Sequence, residues 1–407
     1  MRMLISFAAL FLSVVLLQLG TGGVAPLDAL SGVALGFTAA EIGLLGSAHF
    51  FGFFLGCWWA PRLMGAVGHS RAFAAFTAAG TIGIMAHMMV PDPIAWAVLR
   101  ILPGLCVAGC YTVIEAWLQA KVTNETRGRA MGVYRVVDVG GNLGAQLIIA
   151  VLPPAAYFSY TLLAILCCAA LLPITVTKAQ EPETGTAPRL RPGLALRLSP
   201  LGSAGVVVAG VTGAAFRMVG PVYGIEVGLA PDAIALFLAA FVIGGAVAQF
   251  PVGWLADKYD RRKVLIALSV AATLACGLTV LVSDAGPTAV FAAVIVFGFT
   301  TMPIYSVSTA HAHDFATAEE RVELSAALMF LYAIGAIASP VISSTLIAAY
   351  GPEALFVMIS LAHVLLVVFG LLRMRARPAP EDRTAYVYTP RTSFTLGKLT
   401  ARLRERR

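Results

Sequence analysis

The chain has 407 residues, is 59% hydrophobic with mean hydropathy +0.86, and only 12% of it is charged. A soluble globular chain has about 25% charged residues, so an ordinary water-soluble domain is excluded. The net charge of +7 resides in the tail, where the residues from Arg373 onward carry ten Lys and Arg against Glu381, Asp382 and Glu405. A basic tail on an otherwise neutral chain argues against nucleic-acid binding and for a basic strip facing anionic lipid.

Taken in order, the apolar stretches are 4–24, 41–61, 72–90, 94–119, 130–152, 157–177, 201–225, 232–255, 264–283, 287–311, 323–348 and 353–374. Roughly 20 apolar residues cross about 30 Å of hydrocarbon. Backbone groups in lipid must be satisfied internally, so the stretches are predicted to be helices. Gly104, Gly140, Gly141, Gly144, Pro103, Pro221 and Pro303 lie inside them, as membrane helices tolerate. The first stretch imitates a signal peptide, with Arg2, an apolar run and Gly-Gly-Val-Ala. Its removal would reverse every loop, so it is read as a span.

Charge alternates along this series. Arg2, Arg62, Arg71, Lys121, Arg127, Arg129, Lys178, Arg189, Arg191, Arg197, Lys258, Arg261, Arg262, Lys263, Arg321 and the tail fall on one side, 25 of the 28 Lys and Arg. The opposite connections hold only acids: Asp28, Glu41, Asp92, Glu226, Asp232, Asp284 and Glu353. Lys and Arg are retained in the cytoplasm during insertion. The pattern therefore predicts twelve spans with both termini cytoplasmic, in a bacterial cytoplasmic (inner) membrane.

The longest internal polar stretch, 178–200, contains Pro182, Pro188, Pro192 and Pro200 and divides the chain into halves of six spans. The expected organisation is a bundle over 1–177, a cytoplasmic linker over 178–200, a second bundle over 201–374 and a basic tail over 375–407. The halves read as repeats. Tyr111-Thr-Val-Ile-Glu-Ala-Trp recurs as Tyr305-Ser-Val-Ser-Thr-Ala-His, each with a Gly seven residues earlier (Gly104, Gly298) and a later Glu-x-Arg (Glu125 with Arg127, Glu319 with Arg321). So long a period marks a duplicated bundle. The expected fold is an all-α membrane protein of twelve transmembrane helices in two pseudo-symmetric six-helix bundles.

The connection after the eighth stretch reads Gly253-Trp-Leu255-Ala256-Asp257-Lys258-Tyr-Asp260-Arg261-Arg262-Lys263. It resembles the loop signature of the major facilitator superfamily, G-x-L-A-D-[RK]-x-G-R-R-[RK], departing at Asp260. The first-half counterpart, Pro61 to Arg71, keeps Leu63, Gly68 and Arg71 but lacks the Asp. Arg100-Ile-Leu-Pro103-Gly104 resembles the family's R-x-x-x-G element, whereas Gly140-Gly141-Asn-Leu-Gly144 does not match its Gly-Pro antiporter signature. Val113-Ile-Glu115-Ala with Arg127-Gly-Arg129 is similar to the bacterial YcaD-like branch. The resemblance implies alternating access and a lopsided cytoplasmic latch in which Gly253, Asp257, Arg261 and Arg262 act in conformational cycling. In repeated transporter folds the substrate site lies near mid-membrane between the repeats.

Five ionisable residues other than His lie well inside stretches: Arg100, Glu115, Arg135, Asp138 and Arg217. Each costs roughly 2.5–3.5 kcal/mol to insert and is expected to face a partner or water. Glu115 and Arg135 lie about 9 Å from the cytoplasmic side on adjacent antiparallel helices. Asp138 follows Arg135 by one turn. The three are expected to cluster, either as a fixed ion network or as a proton-coupling site with Glu115 as carrier. Arg100 and Arg217 sit about 10 Å from the other side. Asp28 is the nearest candidate partner. If it pairs with neither, they make a cationic cavity for an anionic or zwitterionic substrate, with Tyr111 and Tyr305 as further lining candidates.

His311-Ala-His313-Asp314 does not suit one metal ion, because residues i and i+2 of a helix point apart. Six Cys inside stretches, with no CxxC pair, read as packing residues. No metal or cofactor is predicted. Nor is there a nucleotide-binding loop or catalytic cluster, so the chain is expected not to be an enzyme. The expected function is secondary active transport of a small solute, symport or antiport with protons, by a monomer. A non-transporting sensor or scaffold and a multi-span membrane enzyme are the rival readings. In the tail, Phe394, Leu396, Leu399 and Leu403 approximate one apolar helical face beside Lys398, Arg402, Arg404, Arg406 and Arg407, which suits an anionic lipid surface.

Overall fold

The computed structural model describes residues 2–121, 127–176, 190–317, 319–376 and 386. Nothing among them is a strand. The helices follow the apolar stretches: α1 (Arg2–Gly22, carried on by Val24–Ala34), α2 (Ala39–Val67), α3 (His69–Met89), α4 (Pro93–Lys121), α5 (Arg127–Ile149), α6 (Tyr157–Val176), α7 (Pro200–Glu226), α8 (Pro231–Lys258), α9 (Arg261–Leu281), α10 (Pro287–His313), α11 (Arg321–Tyr350) and α12 (Ala354–Ala376). Eleven of these are apolar and long enough to cross a membrane. The twelfth, α5, carries Arg135 and Asp138, yet its 23 residues span about 34 Å at 1.5 Å per residue.

Two of the departures from the sequence reading bear on the arrangement of the spans. The first span does not stop at residue 24, because Gly23 keeps helical dihedrals (φ −84°, ψ −13°) and the buried run Val24–Leu30 continues the helix. Asp28 therefore lies inside α1 and not in a connection. The tenth span is broken in the middle, running Pro287–Thr301 and resuming at Pro303. Pro303 has no N–H for the helical ladder.

The chain forms two compact units, Met1–Ala187 and Pro188–Arg407. Within each, glycine lets a pair of helices touch backbone to backbone. In the first unit a Cβ on Gly52 would strike the carbonyl oxygen of Ile101, and one on Gly104 that of His49, so α2 and α4 are in direct contact. In the second, Gly244 meets Ile295 and Gly298 meets Phe241 in the same way, joining α8 to α10. These four contacts fall at corresponding places in the two halves, so the internal repeat is built into the packing. Gly104→Val or Gly298→Val should push the backbones apart and destabilise the protein by roughly 1–3 kcal/mol, read as a lower melting temperature in detergent. Gly277→Val, where added atoms meet open space, is the control.

Phe216 of α7 anchors the second unit among Phe237, Phe241, Phe297 and Phe356, with ring centroids 4.4 to 6.3 Å away. Part of the expected linker is ordered against this unit. A short helix, Pro192–Leu198, is flanked by ion pairs from Arg191 to Glu323 (3.1 Å) and Arg197 to Glu320 (3.4 Å) at the start of α11. Exposed pairs of this kind contribute about 0–1 kcal/mol. Linker residues 178–189 and the amphipathic segment 393–407 lie outside the described residues.

Candidate functional site

The first unit holds the acid cluster. Asp138 of α5 accepts hydrogen bonds from the Tyr111 hydroxyl of α4 (2.7 Å) and from Gln18 Nε2 of α1 (2.8 Å), and its other oxygen lies 4.0 Å from Arg135 Nη1. Glu115, one turn beyond Tyr111 on α4, accepts the Tyr134 hydroxyl at 3.2 Å. The Arg135 guanidinium stands over the Tyr134 ring, 5.0 Å from its centroid. Tyr134 thus links the two acids, touching Glu115 by its hydroxyl and Arg135 by its face. Glu115 is 2% exposed, while the Asp138 side chain keeps 16% of its surface. A phenol can donate to a carboxylate or accept from a carboxylic acid, so both acids have a partner suited to either protonation state. Tyr111, expected in the substrate cavity, gives its hydroxyl hydrogen bond to Asp138.

A second buried network lies further along α4. The Asp28 carboxylate is 3.2 Å from Arg100 Nε and 3.5 Å from His87 Nε2, and it accepts the Tyr160 hydroxyl at 2.9 Å. His87 stacks on Tyr160 (centroids 5.4 Å, 14°), and its carbonyl accepts the Trp96 indole N–H at 2.7 Å. Both members of the Asp28–Arg100 pair are 2% exposed. Arg100 is therefore committed to Asp28, and a cationic cavity that includes Arg100 is not supported.

The loop after α8 builds a third group. Arg261, 1% exposed, donates from Nη1 to Asp314 Oδ1 (2.7 Å) and the Ala310 carbonyl (3.1 Å), from Nη2 to Asp257 Oδ1 (3.3 Å), and from Nε to the Ala256 carbonyl (3.3 Å). It ties the end of α8 to the end of α10. Asp257 accepts Arg261 and the Tyr386 backbone N–H (2.7 Å), and Gly253 leaves room for the Tyr386 ring. Asp260, the departure from the signature, is the α9 cap, accepting the Arg262 N–H at 3.0 Å and gripping its guanidinium at 2.7 and 3.1 Å. Burial alone would raise the Asp260 carboxyl, but the hydrogen bonds from Arg262 hold it below its ordinary range. In the first unit His69 begins α3 as Arg261 begins α9, and it meets Trp117 (centroids 6.1 Å, 52°) with no counterpart of Asp257. At this place the second unit has the Arg261 salt bridges, and the first unit, with Gly65 where Asp257 stands, has the His69–Trp117 contact among its interactions.

The sequence pattern described as Major Facilitator Superfamily matches residues 202–402. An "Uncharacterized MFS-type transporter" of Enterobacter sp. (strain 638) is 28% identical over 345 residues, 84% of this chain and 88% of that protein. The chain is thus similar to the major facilitator superfamily over its second half and to transporters of that family over most of its length. A relative named YcaD from Salmonella arizonae is 25% identical over 345 residues, again 84% of this chain and 88% of its own. Among solved structures, the nucleoside transporter NupG superposes with a TM-score of 0.74 at 14% identity, over 93% of this chain and 100% of its own. A D-xylose-proton symporter superposes at 0.69 and 13%, covering 92% and 99%. These solved structures share the fold. This facilitator is thus a multi-pass membrane transporter and not an enzyme.

The remaining candidates lie in the second unit. Arg217 is half-buried on α7 beside Phe216, and Tyr305 packs edge-on against Tyr332 with centroids 5.3 Å apart. Sequence reasoning missed Gln18, His87, Tyr160 and the role of Asp314. Gln18 had a signal, a lone amide in an apolar run. Asp314 had one too, an acid ending a span on the side that carries Arg261.

Proposed function

We propose that this facilitator is a proton-coupled secondary transporter of a small anionic or zwitterionic solute, working by alternating access in a bacterial cytoplasmic membrane with both termini cytoplasmic. The observation that carries the reading is the cluster of two acids and one guanidinium on α4 and α5. Glu115 and Asp138 each accept a tyrosine hydroxyl, and Arg135 stands beside Asp138 and over Tyr134. Arg135 offsets one negative charge, which leaves the second acid able to bind and release a proton. Glu115 is the carrier in this reading, because it is buried at 2% exposure and its partner, the Tyr134 hydroxyl, suits either protonation state. A change in the surroundings of Glu115 during transport gives the state-dependent proton affinity that coupling requires.

Arg217 is assigned to the anionic group of the substrate. A guanidinium inside a span is costly to insert and marks a functional position, and its fork suits a carboxylate.

The solute is to be found by comparing growth and toxicity profiles of strains with and without the gene, then followed by flux into vesicles. Glu115→Gln should abolish accumulation driven by an imposed pH gradient while sparing exchange down a solute gradient. If Glu115→Gln still concentrates the solute as the wild type does, Glu115 is only the partner of Tyr134. If no solute moves, the sensor or scaffold reading takes over.

A further inference from the structure

The second unit has a cleft where the ends of four helices meet. It is lined by Ser199 at the N-terminus of α7, Arg262 in the first turn of α9, His311 and Phe315 at the end of α10, Arg373 in the last turn of α12, and Leu201. The approach of the helices is set by glycine, since a Cβ on Gly370 would come within 2.9 Å of Ile266 on α9 and 3.6 Å of Leu201 on α7. Arg373 follows Gly370 by three residues and is thereby brought beside the start of α7.

We propose that this cleft is a binding site for a phosphate group, carried in the membrane by an anionic phospholipid headgroup. Two guanidiniums line the wall beside the His311 imidazole, and the 27-residue α7 begins there, its Gly202 N–H already bonded to the Ser199 hydroxyl. Asp260 offsets part of this through Arg262, which it grips at 2.7 Å. Arg373 has no such partner, for no carboxylate lies within ion-pair distance of it among the described residues. The walls formed by Leu201 and Phe315 are apolar. A cleft lined by both basic and apolar side chains and sited at the ends of membrane spans matches a lipid headgroup with the start of its acyl chains. The connections at this end of the spans are those that hold the Lys and Arg, where anionic lipid is drawn by charge.

The test uses the purified full chain in detergent, with melting temperature and native mass spectrometry as readouts. Phosphatidylglycerol, phosphatidylcholine and inorganic phosphate are titrated separately. Phosphatidylglycerol should raise the melting temperature and remain as a bound adduct, with phosphatidylcholine far weaker. Arg373→Gln should weaken phosphatidylglycerol binding about tenfold, the loss of one charge-assisted hydrogen bond. Arg375→Gln, exposed one position beyond the last turn's midpoint and outside the lining, should leave it unchanged. Stabilisation by inorganic phosphate alone, lost in Arg373→Gln, keeps the phosphate site and makes its source soluble. Equal binding of phosphatidylglycerol by wild type and Arg373→Gln, or equal binding of the two lipids, overturns the proposal. So does the absence of any phosphate-dependent effect.

Discussion

Asp28→Ala should be among the most damaging single substitutions in the first unit, destabilising it by about 3–5 kcal/mol. The reason lies in what remains. Asp28 and Arg100 are both almost fully buried, with Nε and carboxylate 3.2 Å apart. Removing the carboxylate leaves a guanidinium in the protein interior, together with a Tyr160 hydroxyl that has lost its Asp28 acceptor. An intact buried pair adds little net stability, because the attraction roughly offsets the desolvation of two ions, but a half-pair has no such compensation. The double variant Asp28→Leu/Arg100→Met should therefore melt above Asp28→Ala. If the double variant is the less stable, the pair itself supplies net stability and this account of the network is wrong.

The second large effect belongs to Arg261 and Asp314, both 1% exposed and 2.7 Å apart. Arg261→Leu should cost about 3–5 kcal/mol, since it takes a 2.7 Å hydrogen bond from the buried Asp314 carboxylate and one donor each from the Ala310 and Ala256 carbonyls. Asp257→Asn should behave differently, although it touches the same guanidinium. The Asp257 side chain is 52% exposed, so its contribution to stability is about 1 kcal/mol or less. Its effect is expected on turnover: flux falls while substrate affinity stays nearly unchanged, because the loop at the end of α8 lies far from the middle of the spans. Melting temperatures of the two variants, followed by flux and binding of Asp257→Asn, check both halves of the statement. Normal flux with much weaker binding in Asp257→Asn would place that residue at the substrate and not in the cycle.

The ordering of these effects could not have been read from the signature. The motif makes Asp257 look central and omits Asp314, whereas burial makes Asp314 the stronger partner of Arg261. The same applies to Asp260. In the signature it is a misfit at a glycine position. In the fold it is the cap of α9 and the clamp on Arg262.

Fold class was legible in the chain because the rule behind it is local and severe. A backbone in hydrocarbon must hydrogen-bond within its own helix, so each span is written as one contiguous apolar run, and the Lys and Arg between runs carry the insertion pattern. Duplication was legible for a similar reason: Gly104 and Gly298 must be glycine wherever two backbones touch, and they recur at one spacing. The i, i+3 relation of Arg135 and Asp138 needed only helical geometry. What the tertiary structure alone decided is which polar groups meet across helices. Asp28 joins Arg100, His87 and Tyr160 from α1, α4, α3 and α6, and Asp138 joins Gln18 and Tyr111 from α5, α1 and α4. Those encounters depend on how each helix is rotated and where Gly23 lets α1 continue, and no periodicity within a single helix encodes the face that its neighbour presents.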